Sequence, residues 1–316
     1  MRSPLALVVV VALGACPLPP GGEGDGEGDP GEGEGEGEGE GDVGEGEGEG
    51  EQACGDVVVV GTSILNTEGL VVARDGTLYF SQNEAVGRRT PDGAVLPDWV
   101  LVPGASTLWG VMLSPDNQRL YAASPSTSSI FVIDTVTESI DFELTDFQGP
   151  NGLTIDAAGT LFVADFFADT VYALDVGTSA ATTTTTVVTT EIVTPNGVLV
   201  DGDDLLVLGY NDGVLHRAVG GRIGAASSLV DEVSDLGNPD GIVRAADGSL
   251  FITDNGNGLL LHVEDGVGVV VRQGIPAAAN LEFGTAPLRC DRLMVTSAQS
   301  LAVVDVGIGG APVAWR

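Results

Sequence analysis

The chain has 316 residues, a formal net charge of −34, and 46 acids against 12 basic residues, all of them arginine. Such a surface has no basic stripe with which to displace counterions from a phosphate backbone, so nucleic-acid binding is excluded. The first consequences of the charge are solubility and self-repulsion, with attraction of cations a lesser one.

Residues 1–16 read MRSPLALVVVVALGAC. Arg2 is a minimal basic start, and Leu5 to Leu13 form an apolar run followed by small residues, the pattern of an export signal. The run is shorter than the ~20 apolar residues needed to span a bilayer. Its ending, Leu13-Gly14-Ala15-Cys16, resembles the lipobox of bacterial lipoproteins. That resemblance implies cleavage after Ala15 and attachment of lipid to the Cys16 sulfur. No Asp follows Cys16 directly, which by the same resemblance favours the outer membrane of the cell envelope, on either its periplasmic or its surface face.

Residues 21–51 are nearly pure Gly-Glu alternation. Nothing there can bury apolar surface and its charges repel, so 16–53 is read as a disordered, extended linker. The folded domain is then 54–316. Two further cysteines, Cys54 and Cys290, lie at its ends; in an oxidising compartment their parity suggests a disulfide.

From residue 66 onward the sequence repeats. Six segments align, at 68–81, 109–123, 151–165, 196–208, 240–254, and 280–284 with 291–296, their first residues 41, 42, 45, 44 and 40 apart. Each reads as a short alternating strand, a turn of Asp-Gly type and a second β-rich strand, the signal of a hairpin. Third strands follow at Ser129 to Asp134, Thr170 to Asp175 and Leu259 to Val263, and the Thr/Val-rich run from Thr182 to Val193 predicts a fourth, outer strand. Four strands per repeat of this length make an all-β, six-bladed propeller of four-stranded antiparallel blades. Period-2 patterning excludes helical repeats, and β-solenoid coils are usually shorter.

In a closed ring, equivalent positions lie at one height around one axis. Glu68, Trp109, Asn151, Asn196, Asp240 and Asn280 open the six repeats, and five of them carry oxygen. Asn and Asp before Gly are ordinary turn residues, but their recurrence at the same point in five repeats calls for more. Oxygen side chains at the head of a central strand are costly to bury without a partner, and a hard cation supplies one. Asp165 and Asp254, at the ends of second strands, return to the same face, where they would either orient the ring residues or accept loop N–H groups. His216 and His262 fall on third strands, away from the axis, so a Ser-His-Asp or His-based dyad is disfavoured.

The repeats are similar to the SMP-30/gluconolactonase/LRE family of six-bladed propellers over residues 64–316. Glu68-Gly69, Pro195-Asn196-Gly197, Pro239-Asp240-Gly241 and the segment from Asn280 to Gly284 carry the resemblance. It implies that Glu68, Asn196 and Asp240 hold a divalent metal, with calcium first and zinc, magnesium or manganese as alternatives. It implies also that Asp240 is the general base of lactone hydrolysis and that Asn151 contacts metal-bound water or substrate; Trp109 and Asn280, at the neighbouring ring positions, are further candidates for substrate contact. Leu70 stands where the family usually has Pro, and Gly149 where it often has an Arg that grips sugar-acid oxygens. The resulting expectation is a monomeric, metal-dependent hydrolase of lactone or related ester bonds. The alternative is a non-catalytic, surface-displayed binding module with a structural metal.

Overall fold

The computed structural model describes residues 67–285, 292–298 and 301–311. The export signal, the linker, Cys16, Cys54 and Cys290 lie outside these residues. Six antiparallel sheets follow one another along the chain, spanning 70–101, 111–144, 150–189, 195–233, 239–273 and 281–305. The first five have four strands each, paired in sequence order, and the sixth has three among the described residues.

Local chemistry makes the hairpins. In the first blade Gly76 takes φ 82° and the Asp75 carboxylate accepts the Thr77 N–H at 2.8 Å. In the fifth, Asp247-Gly248 repeats the device with φ 93° and a 2.9 Å bond from the Ser249 N–H. Glycine supplies the left-handed backbone, and the aspartate satisfies the donor freed at the turn.

Burial then sorts the strands. Inner and second strands are almost wholly buried, as in Leu250–Asp254, while the outer strand Val267–Gln273 is exposed along its length. Apolar clusters fill the seams between neighbouring blades. The seam that closes the ring joins Leu70, Val72, Leu78 and Phe80 of the first blade to Met294 and Leu301 of the sixth. At roughly 1.5–3 kcal/mol per buried large apolar side chain, these seams are the main force holding the blades in register.

Two expected strands are corrected. The outer strand of the third blade covers Thr184–Thr189 and not 182–193, because a 3-10 turn at Ala180–Thr182 precedes it. That turn is tied by the Thr183 hydroxyl, which donates to the Ser179 carbonyl at 3.1 Å. The third strand of the fifth blade runs one residue further than expected, to Glu264.

Candidate metal and ligand site at the channel mouth

Inner strands run from one end of the central channel to the other, and the expected site residues gather at the end where they begin. The backbone is specialised there. In the third, fourth and fifth blades the pairing of inner and second strands slips, so that Asn151-Gly152, Asn196-Gly197 and Asp240-Gly241 each lie opposite a single residue. A β-bulge of this kind re-aims the side chain of the extra residue, here at the head of each inner strand.

The glycine after each ring residue has a separate reason. A Cβ at Gly69, Gly110, Gly152, Gly197 or Gly241 would stand 1.9–2.6 Å from the carbonyl oxygen of Trp109, Asn151, Asn196, Asp240 or Ala279, respectively. Each glycine therefore lets the next blade's ring residue approach. This packing also fixes the register of the sixth blade, where Ala279 holds the ring position and Asn280 stands one step later, where the other blades have glycine. Asn280 still lines the channel, but its Oδ1 accepts the N–H of Leu281 at 2.7 Å. The alignment on Asn280 was one residue out because the glycine that marks the register is absent there.

Hydroxyls on second strands clasp three of the ring segments, a feature that the sequence reading missed. Ser81 Oγ accepts the N–H groups of Glu68 and Gly69 at 3.3 and 2.8 Å, and Thr253 Oγ1 accepts that of Gly241 at 2.8 Å. Thr296 Oγ1 accepts the Asn280 N–H at 2.8 Å and donates to the Glu68 carbonyl, bridging the last blade to the first. Ser or Thr at one repeat position was the available signal.

The side chains of Glu68, Asn151, Asn196 and Asp240 come together on the wall of a channel of about 240 Å³. Asn151, Asn196 and Asp240 are buried and Glu68 is half-buried. Burial pushes the Asp240 carboxyl up to about 7, against the pull of amide donors on Asn255 and Asn196. Glu68 is raised well above the usual range by burial and then by the charge of Asp240, with an amide from Asn151 acting the other way. Two desolvated carboxyls, one of them raised further by the charge of the other, are short of positive charge. Four oxygen-bearing side chains in one ring suit a hard divalent ion, and calcium fits this all-oxygen donor set better than zinc. Among the described residues no cluster of three His, Cys, Asp or Glu exists to hold a metal by itself, so amide oxygens would have to complete the shell.

Trp109 holds the ring position of the second blade, yet its indole turns to Phe166 and Phe167, with centroids 5.8 Å from each. Phe166 packs edge-on to Tyr210 at 5.5 Å. The Tyr210 hydroxyl donates to Asn255 Oδ1 at 3.3 Å, and Asn255 Nδ2 donates to Asp240 Oδ2 at 3.0 Å. Phe166, Tyr210 and Asn255 each follow a second strand, so they form a further tier at the mouth.

Asp165 and Asp254 act through loops. Asp165 is fully buried and accepts the N–H groups of Gln148 and Gly149 at 2.8 and 2.6 Å. Asp254 accepts those of Asn238 and Asn257 at 3.2 and 3.1 Å. Of the two expected roles, accepting loop N–H groups is the one observed; it fixes the segments leading into Asn151 and Asp240. His216 and His262 lie on third strands, as expected, His216 between Asp212 and Asp231 and His262 against Ser249.

No family model and no curated protein matches the sequence. Solved structures match the fold. Regucalcin from Agrobacterium tumefaciens, a calcium-binding protein, superposes with a TM-score of 0.64 at 18% identity, covering 80% of this chain and 93% of its own. A gluconolactonase from Xanthomonas campestris gives 0.63 at 19%, covering 77% and 86%. Virginiamycin B lyase from Staphylococcus aureus gives 0.55 at 13%, covering 77% and 85%. At identities this low the likeness shows the β-propeller fold alone, and the proteins that share it carry more than one chemistry.

Proposed function

We propose that this propeller is a divalent-metal-dependent hydrolase of lactone or related ester bonds, of the SMP-30/gluconolactonase kind. The observation that carries the reading is the Glu68–Asp240 pair, two raised carboxyls in one ring with Asn151 and Asn196. The calcium-binding regucalcin and the gluconolactonase among the structural neighbours support it. Glu68, Asn196 and Asp240, with Asn151 beside them, would hold the ion. A bound divalent cation polarises a carbonyl oxygen and favours ionisation of water.

The chain's own residues do the rest. Asp240 takes the proton from the attacking water. Asn255 fixes one carboxylate oxygen through its 3.0 Å bond, and the Asn196 amide also donates to this carboxyl. Asn151 and Asn196 hold the two acids by their amides and would hold the substrate oxygens beside them. Lipid attachment at Cys16 would tether the domain to the envelope.

Metals titrated into chelated protein, followed by a screen of lactones and aryl esters, test this. Hydrolysis should depend on the ion and fall in Asp240→Ala; hydrolysis that survives complete metal removal sinks it. A binding module with a structural ion is the second reading, favoured by Gly149 and Ala279, which replace polar groups at two mouth positions. Ion binding without turnover would select it.

A further inference from the structure

We infer that the group lodged at the mouth beside Asp240 is aromatic and uncharged, so that the substrate class is an aryl-bearing lactone or ester and not a sugar acid. The inference rests on the hydrolase reading for its chemistry, but on separate residues for its specificity.

The first observation is the arc of Trp109, Phe167, Phe166 and Tyr210, which spans three consecutive blades and ends, through Asn255, on Asp240. Core aromatics would be covered, but Phe167 is 58% exposed and Trp109, Phe166 and Tyr210 are half-buried. An open aromatic cluster one tier outside the channel wall, linked to a desolvated carboxyl, offers ring faces and edges to an aryl group.

The second observation is Gly149. A Cβ there would stand 2.2 Å from Phe167 Cδ2, so the Phe167 ring lies directly on the glycine backbone. Any larger residue at 149 would displace that ring. The glycine thus keeps an aromatic face at that point of the mouth.

The third is the distribution of cations. Arg74, Arg119, Arg217, Arg222 and Arg244 bond to Pro115, Gly177, Asp201, Gly202 and Gly248, in or beside turns at the opposite end of the channel. An anionic ligand at the mouth would meet Glu68 and Asp240, with these five guanidinium groups engaged at the far end. A polyhydroxylated group lodged against Trp109, Phe167 and Phe166 would meet ring faces that offer few hydrogen-bond partners. An aromatic group gains both burial and edge-to-face contact.

The test uses the full chain reconstituted with calcium, a phenyl-substituted γ-butyrolactone, glucono-δ-lactone and acetylcholine. The expected kcat/KM ratio of phenyl lactone to glucono-lactone is at least about tenfold, falling toward unity in Phe167→Ala. A Gly149→Arg, Phe167→Ala double variant should lower it further. Calorimetry with the phenyl lactone separates the two layers of the argument. Binding that is lost in Phe167→Ala, without turnover in any arm, upholds the aromatic class and removes the hydrolase reading. A preference for glucono-lactone or acetylcholine, an unchanged ratio in the folded Phe167→Ala variant, or no binding of the phenyl lactone overturns the inference.

Discussion

The two ends of the channel use acidic residues to opposite effect. At the far end aspartates meet arginines. Arg217 bridges Asp201 at 2.7 Å and Asp204 at 3.2 Å, Arg244 reaches Asp201 at 2.9 Å, and Arg222 reaches Asp156 at 3.4 Å. Arg217 is held above its ordinary pKa first by its bond to Glu232 and then by Asp201 and Asp204. At the mouth, Glu68 and Asp240 meet amides and one another. Carboxylates neutralised by the protein itself serve the fold. A buried pair left with neutral partners is a standing cost to the fold, and in a closed ring of oxygen side chains that cost points outward, to a cation from solution.

The comparison can be broken most decisively at the mouth. Glu68→Gln and Asp240→Asn should each weaken calcium binding by more than ~100-fold, since replacement of mere supporting groups around a metal already costs 10–100-fold. Isothermal titration reads this directly. The same variants, free of metal, should melt no lower than the parent, because each removes one desolvated charge.

Next in size is the ring backbone. Gly152→Ala places a Cβ 1.9 Å from the Asn196 carbonyl and should destabilise by about 3 kcal/mol. Gly159→Ala, at φ 92° with nothing within 4 Å, should cost about 1 kcal/mol from backbone strain alone. Denaturant midpoints of the two variants separate close approach from conformation. Asp165→Ala leaves two loop N–H groups without their acceptor and should cost about 2 kcal/mol.

The pH dependence has a definite sign. Asp240 titrates at about 7 in the folded chain and near ~3.9 when unfolded. Between these values the folded state holds the extra proton, so stability falls as pH rises from one to the other. The chelated protein should melt lower at pH 8 than at pH 5, and Asp240→Asn should flatten that drop. At the far end the smallest effect is expected. Glu138→Gln removes the charge from a 2.7 Å pair that the exposed Glu138 makes with Arg88 and should leave stability nearly unchanged.

How far the sequence anticipates all this depends on the kind of signal. Hairpins were legible because Asp-Gly turns and alternation are local, as at Asp75-Gly76 and Asp247-Gly248. Five ring positions were legible because a repeat converts sequence spacing into angular position about an axis. The sixth misled because Asn280 imitates a ring residue while the packing glycine is missing, and only contact with the neighbouring blade assigns the position to Ala279. The aromatic arc was not legible. Phe166, Phe167 and Tyr210 belong to different repeats from Trp109, and none is unusual by itself. Their common position after a second strand gains meaning only once the ring closes and brings them to one mouth.

The central claim is that Glu68 and Asp240 form one cation site with the ring amides. Calcium titrated calorimetrically into chelated, full-length protein at pH 8 tests it most directly, with Asp240→Asn and Glu68→Gln as partners in the experiment. A single site in the parent, absent from both variants, is the expected result. No calcium binding in the parent, or binding unchanged in either variant, would contradict it.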